Sequence, residues 1–169
     1  MKDFVTSDLH FGHANIIKYC NRPFDNEKIM DNNLVMNWNK TVSKKDRVFF
    51  LGDVSWYGKP KTQELVSQLK GYKILVKGNH DTKSIQWFMD VGFDEVYNYP
   101  IIYNEFIIMQ HEEPSFCNDA SPYYFLFGHV HNNKMYTTIT KQSACVCVER
   151  WDYKPVLIDD IARKVAELR

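Results

Sequence analysis

Short apolar runs in this chain repeatedly stop at Asp, Asn, Gly or His, and that habit constrains the fold more than anything else in the sequence. Val48-Phe-Phe-Leu51 runs straight into Gly52-Asp53. A continuous apolar stretch this short predicts a strand buried on both faces. Asp3-Phe-Val-Thr-Ser7 before Asp8 reads the same way, as does Tyr72 to Val76 before Lys77-Gly-Asn-His-Asp81. Between these runs lie helical stripes. Glu27 to Lys40 carries Ile29, Met30, Leu34, Val35 and Trp38 at helical spacing, with Asp25 placed to cap it. Lys61 to Lys70 carries Leu65, Val66 and Leu69 and stops at Gly71. Shorter helices are expected over Ala14 to Cys20 and Ser84 to Val91. Strand and helix alternate, which is the pattern of crossover units in an α/β fold.

The second half is richer in strands. Tyr99 to Ile102 and Glu105 to Gln110 predict a hairpin about Tyr103-Asn104, followed by a polar loop from Glu112 to Pro122. Tyr123 to Phe127 leads into Gly128-His-Val-His131, and Tyr136 to Ile139, Ser143 to Val148 and Pro155 to Ile158 are β-rich. A helix is expected from Asp159, with Ile161, Val165 and Leu168 on one side. No repeat or linker divides residues 1–169, so one domain is expected. The N-terminus MKDFVTSDLH lacks the pattern of a signal peptide, and no run approaches a membrane span, so a cytoplasmic protein without a membrane partner is expected. Four scattered cysteines make no disulfide framework. Basic and acidic residues balance at 21 each, which argues against tight binding to long duplex nucleic acid.

The histidines point to chemistry. Five of the six fall in stretches dense in Asp, Asn and Gly, and His13 lies three residues from one of these. Asp8-Leu-His10, Gly52-Asp53, Gly78-Asn-His-Asp81, His111 and Gly128-His-Val-His131 all follow predicted strands, where loops of an α/β sheet converge on ligands. Asp8 and His10 are two apart, as are His129 and His131; in extended backbone each pair would point to one side. With Asp53, Asn79 and His111 they supply seven oxygen and nitrogen donors, a set suited to Mn, Fe, Zn or Ni.

Asp-X-His or Gly-Asp alone means little, but these motifs in this order resemble the calcineurin-like metallophosphoesterase superfamily. The resemblance spans residues 8 to 131. The opening Ser7-Asp-Leu-His-Phe-Gly-His13 with Asn15-Ile-Ile17 is similar to small prokaryotic and phage-borne members. It implies a four-layer sandwich, two mixed β-sheets face to face flanked by helices. It also implies two divalent metal ions, with manganese the expected ion in vitro. Asp8, His10 and His131 would bind one ion, Asn79, His111 and His129 the other, and Asp53 would bridge them. His80 would face substrate as proton donor, with Asp81 orienting its ring. The implied reaction is phosphoester hydrolysis by direct attack of a metal-bridging hydroxide.

The loop from Glu112 to Pro122 is too short for a capping domain, so a phosphodiester substrate is expected, nucleotide-like or a nucleic-acid end. A phosphomonoesterase is the alternative, and a non-catalytic interaction module on the same fold a further one. His13, Asn15 and Arg22 are candidate substrate contacts, with helix packing and a solvated arginine as the plainer roles. Trp56 and Tyr57 would pack over a loop or stack on a base. Cys145 and Cys147 read as small buried hydrophobes far from the donor set.

Overall fold

The computed structural model describes residues 1–115 and 121–168; Cys117 and residues 116–120 of the expected polar loop lie outside them. Two mixed sheets face each other. The first comprises β1 (Asp3–Thr6), β2 (Arg47–Phe50), β3 (Tyr72–Val76), β4 (Glu95–Tyr97) and β9 (Val156–Leu157), in the order β4-β3-β2-β1-β9. Its strands are parallel except β9, which runs against β1. The second comprises β5 (Ile101–Tyr103), β6 (Ile107–Gln110), β7 (Tyr124–Phe127) and β8 (Ser143–Cys145), in that order. There β5 and β6 form the expected hairpin, turning at residues 104–106 instead of Tyr103-Asn104 because Tyr103 pairs with Ile107, while β6, β7 and β8 are parallel.

The double burial read from the apolar runs has a direct structural cause. Phe4, Val48, Phe50 and Leu75 point to one face of the first sheet. There they meet Trp38 of α2 (Glu27–Thr41), Leu65 of α3 (Lys59–Gln68) and Phe88 of α4 (Ile85–Asp90). Val5, Phe49, Leu51, Ile74 and Val76 point the other way, towards Met109, Leu126 and Ala144 of the second sheet. Phe50 is fully buried between Trp38 and Phe93, ring centroids 6.2 and 5.7 Å away, a burial that stabilises by about 2–3 kcal/mol. The last helix, α5 (Ile158–Ala166), adds Ile158, Ile161 and Val165 to the core between the sheets. No helix among the described residues is long and apolar enough to cross a membrane.

Several boundaries differ from expectation. Asn26, not Asp25, caps α2, accepting from the Ile29 amide at 3.0 Å. Helix α3 starts two residues early because Pro60 suits a first turn, where its missing N–H is not needed. Strand β4 has one buried residue, Val96, which is too short a signal for alternation to reveal. The strand expected from Tyr136 to Ile139 is a looped segment with one isolated bridge, Ile139 to Ala144. Arg150 ties down its start and the turn before it: the guanidinium donates to the Tyr136 carbonyl and the Thr138 hydroxyl as well as to the carbonyls of His131 and Asn133, while the Thr138 carbonyl accepts from the Cys145 amide at 2.9 Å. After Cys145 the chain leaves β8 and turns at Val148–Arg150 as a short 3-10 helix, which carries Glu149 inward.

Candidate metal centre

Parallel pairing brings the carboxyl ends of β1, β2 and β3 to one edge of the first sheet, and those of β6 and β7 to one edge of the second. From these ends come Asp8 and His10, Asp53, Asn79 to Asp81, His111, and His129 with His131. The first two loops are laced together: the Asp8 amide donates to Gly52 O and the His10 amide to Asp53 O, both at 3.0 Å. The expected extended pairs are not extended. Asp8, His10, Asp53, His129 and His131 all have φ between 47° and 67°, the left-handed region that side chains rarely adopt. The motif glycines permit the crowding. A Cβ on Gly128 would lie 2.5 Å from Asp8 Oδ2, and one on Gly52 would collide with the Gly78 backbone.

Asp8 divides its two oxygens. Oδ2 accepts from the His129 amide at 2.9 Å and the Cys147 thiol at 3.2 Å. Among the described residues Oδ1 has no hydrogen-bond partner, and it faces Nε2 of His10 and of His131, each 3.6 Å away. His10 Nε2 is likewise buried without a partner. Asp53 Oδ2 lies 3.4 Å from His10 Nε2 and 3.6 Å from His111 Nε2, so it stands between two groups of donors. In the second group Asn79 Oδ1 is 2.8 Å from His111 Nε2 and 3.2 Å from His129 Nδ1. Asp8, His10 and His131 present donors within 4.8 Å of one another, as do Asp8, Asp53 and His111.

Two divalent ions fit this arrangement. Burial without a partner is costly for Asp8 Oδ1 and His10 Nε2 unless a cation occupies the space they share. Burial alone would raise the Asp8 carboxyl, but the neighbouring histidines outweigh it and hold Asp8 well below the usual range. Burial pushes Asp53 up to about 7 and His10 down to about 4. Burial opposes protonation of His131 too, yet contacts with Cys20 and Glu149 and the Asp8 charge push it up to about 11. One buried carboxylate held ionised beside another driven towards neutrality is a site short of positive charge.

His80 lies at the rim. Its backbone N–H donates to Asp53 Oδ1 at 3.0 Å, and its ring Nε2 is 4.0 Å from Asp53 Oδ2 with the side chain 48% exposed. Burial, with His111 nearby, holds its imidazole below the ordinary value. Among the described residues no hydrogen bond joins Asp81 to this ring, contrary to expectation. Its Oδ2 accepts from the Asp53 and Gly78 amides at 2.7 and 2.9 Å, and its Oδ1 from the Val54 amide at 3.1 Å. Asp81 therefore fixes the loop that carries Asp53.

The candidate substrate contacts separate. His13 stacks on Trp56 with centroids 3.9 Å apart and planes 8° apart, and Trp56, 44% exposed, lies 4.6 Å from the His80 ring. Asn15 is exposed in the first turn of α1 (Ala14–Tyr19). Arg22 is neither solvated nor free to clamp an anion. It is buried, donating to Asp8 O at 2.7 Å and Leu9 O at 2.9 Å while paired with Glu149 at 2.6 Å. Tyr57 packs its ring where a Cβ on Gly12 would collide. Cys145 and Cys147 are buried as expected but not remote, since Cys147 touches Asp8.

Glu149 is the residue the sequence reading missed. Its Oε1 lies 2.9 Å from His131 Nδ1, and Cys20, His131 and Glu149 form a further cluster of donors within 4.8 Å. In Val148-Glu-Arg-Trp151 it looks like an ordinary surface charge, and only the 3-10 turn that places it inside marks it.

The chain is 36% identical over 172 residues to the uncharacterised protein MJ1445 of Methanocaldococcus jannaschii, covering 97% of this chain and 91% of that one. It is 40% identical over 82 residues to the gene 66 protein of Mycobacterium phage L5, covering 46% of this chain and 39% of that one. A protein of unknown function from Aquifex aeolicus, AQ665, superposes with a TM-score of 0.71 at 25% identity, over 96% of this chain and 98% of the other. The Pseudomonas putida nuclease MPE shares the fold at a TM-score of 0.52 and 17% identity, over 76% of this chain and 61% of its own. The profile of the calcineurin-like phosphoesterases matches residues 1–155, and with the donors converging as they do, the chain belongs to that family of metal-dependent phosphoester hydrolases.

Proposed function

We propose that this protein is a phosphodiesterase acting on nucleotide-like substrates or nucleic-acid ends, with His80 as its proton donor and manganese as a competent metal. The position of His80 carries the reading. It is the one histidine whose ring stands half in solvent at the edge of the buried donors, 4.0 Å from the carboxylate that faces both donor groups. Asp8, His10, His131 and Asp53 would hold one divalent ion, and Asp53, Asn79, His111 and His129 the other. When bound, such a pair supplies positive charge for phosphoryl oxygens and lowers the pKa of a water between them.

The protein groups do the rest. Asp53 is anchored through Oδ1 by the His80 amide, which leaves Oδ2 to face the donors. His80 holds a proton on Nε2 for the departing oxygen, since an alkoxide leaves poorly without one. Beside it lies a groove of about 190 Å³ lined by Trp56, Tyr57, Thr82, Lys83 and Trp87. Flat aromatic faces and an ammonium next to a proton donor favour a leaving group that carries a heterocycle. The buried free thiols Cys20, Cys145 and Cys147 suit a reducing compartment such as the cytoplasm.

Asp53→Asn tests the assignment. The protein loaded with manganese should turn over an aryl phosphodiester faster than the matching monoester, and the variant should lose ions and rate together. Full activity in the variant, or in protein stripped by a chelator, would refute the two-ion site. A monoester preference reproduced with several metals would refute the diesterase.

A further inference from the structure

Arg22 and Glu149 form a buried ion pair behind the donor set, and the donor residues it touches directly, Asp8 and His131, both belong to the first group. Glu149 Oε1 lies 2.9 Å from His131 Nδ1 and accepts from Arg22 Nε at 2.9 Å and Nη2 at 2.6 Å. Both side chains are essentially inaccessible to solvent. Because Nδ1 of His131 is committed to Glu149, the opposite nitrogen, Nε2, is the one turned towards Asp8 Oδ1. The same guanidinium donates to the carbonyls of Asp8 and Leu9 and so fixes the backbone of the second donor. One ion pair thus positions two donors of one group. Among the described residues the other group has no such pair behind an imidazole: His111 Nδ1 is 2.7 Å from the Leu51 carbonyl, and His129 is held through its main-chain amide, which donates to Asp8 Oδ2 at 2.9 Å.

We infer that Glu149, held by Arg22, is a positioning residue for His131 that sets the affinity of the Asp8/His10/His131 ion position and leaves the other unaffected. The inference rests on the two-ion reading above. A carboxylate behind a ligating imidazole fixes the ring and raises its basicity, and loss of such a partner costs about 10–100-fold in metal affinity. A buried ion pair is a poor device for stability alone, because desolvation offsets most of the attraction. Its placement here is accounted for by what it does to His131.

The experiment measures manganese affinity by equilibrium dialysis in two backgrounds that each keep one position. His129→Ala leaves the Asp8/His10/His131 position, and His10→Ala leaves the Asn79/His111/His129 position. In the first background Glu149→Gln should weaken binding about 10-fold and Glu149→Ala up to about 100-fold. In the second background neither should change it by more than about 2-fold, the ordinary scatter for independent sites. Glu149→Gln keeps an acceptor for both His131 and Arg22, so its unfolding temperature without metal should stay near that of the parent. That keeps the test valid if Glu149→Ala fails to fold. Equal weakening in both backgrounds, or none in the first, would overturn the inference while the two-ion site stands. Failure of the unmutated protein to bind manganese at all would remove the two-ion site and this inference with it.

Discussion

Removing the His80 ring separates proton donation from ion binding, because the structure divides the two tasks between different atoms of one residue. The bond that anchors Asp53 Oδ1 comes from the His80 main-chain N–H at 3.0 Å, and His80→Ala keeps it. The deleted ring is half in solvent and meets Trp56 at 4.6 Å, so the loss of stability should stay near 0.5 kcal/mol. Loss of a general acid costs about 10²–10⁴ in rate, or about 3–5 kcal/mol of barrier. The full loss should appear only where the leaving oxygen needs a proton. Turnover measured on a series of aryl and alkyl diesters should fall steeply with leaving-group pKa in His80→Ala and gently in the parent. The best leaving group should lose the least. Elemental analysis should find the same manganese content in both proteins. If the ions are lost with the ring, His80 is a ligand; if every diester slows equally, it does not donate the proton.

Asp81→Asn should behave in the opposite way. Its oxygens serve three amides of the loops bearing Gly78, Asp53 and Val54, so an amide side chain leaves at least one unmatched, at about 1–3 kcal/mol. Ion content and unfolding temperature should fall, while the leaving-group dependence stays that of the parent; a changed slope would restore the expected Asp81–His80 pairing. Asp31 gives a pH signature away from the site. Burial lifts its carboxyl from the ordinary 3.8 to about 6, although it accepts from the Gly12 amide at 3.0 Å. The folded carboxyl binds its proton more tightly than the unfolded one, so stability should fall by about 2 kcal/mol as pH rises from about 4 through about 6. Asp31→Asn keeps an oxygen for Gly12, and its denaturant midpoint should be flatter over that range and higher at pH 8; parallel profiles would refute the assignment.

The strands that carry the donors were legible because each is an apolar run cut short by a polar motif. Phe49 and Phe50 had to face two cores, and they do. Elements whose shape depends on distant partners were not legible. Tyr136 to Ile139 has the composition of a strand, but the Arg150 guanidinium, 14 residues on, takes the Tyr136 carbonyl and those of the turn before it. Arg22 and Asp81 were visible as residue types and misread in role. An arginine beside Pro-Phe suggests a surface, and an Asp after His suggests a pair with that His. Neither local pattern encodes that Glu149 lies 127 residues from Arg22 in sequence and 2.6 Å from it in space.

What those misread residues share explains why the donor geometry persists. Asp8, His10, Asp53, His129 and His131 hold left-handed backbone, a conformation that costs about 1 kcal/mol or more for a residue with a Cβ. Five such residues in neighbouring loops would relax if nothing opposed them. The opposition comes from buried polar side chains bonded to the main chain of those loops. Arg22 holds the carbonyls of Asp8 and Leu9, Asp81 holds the amides of Asp53 and Val54, and Asp8 Oδ2 holds the amide of His129. Each bond fixes the residue that carries a donor, or the one next to it, leaving the donor atom itself to face the ion space. The donors can then be few and the motifs short, because the angles that aim them are set from behind by charges the local sequence does not announce. It follows that substitutions in this frame should reduce ion affinity before they unfold the sheets, since the strands keep both cores when the loops relax.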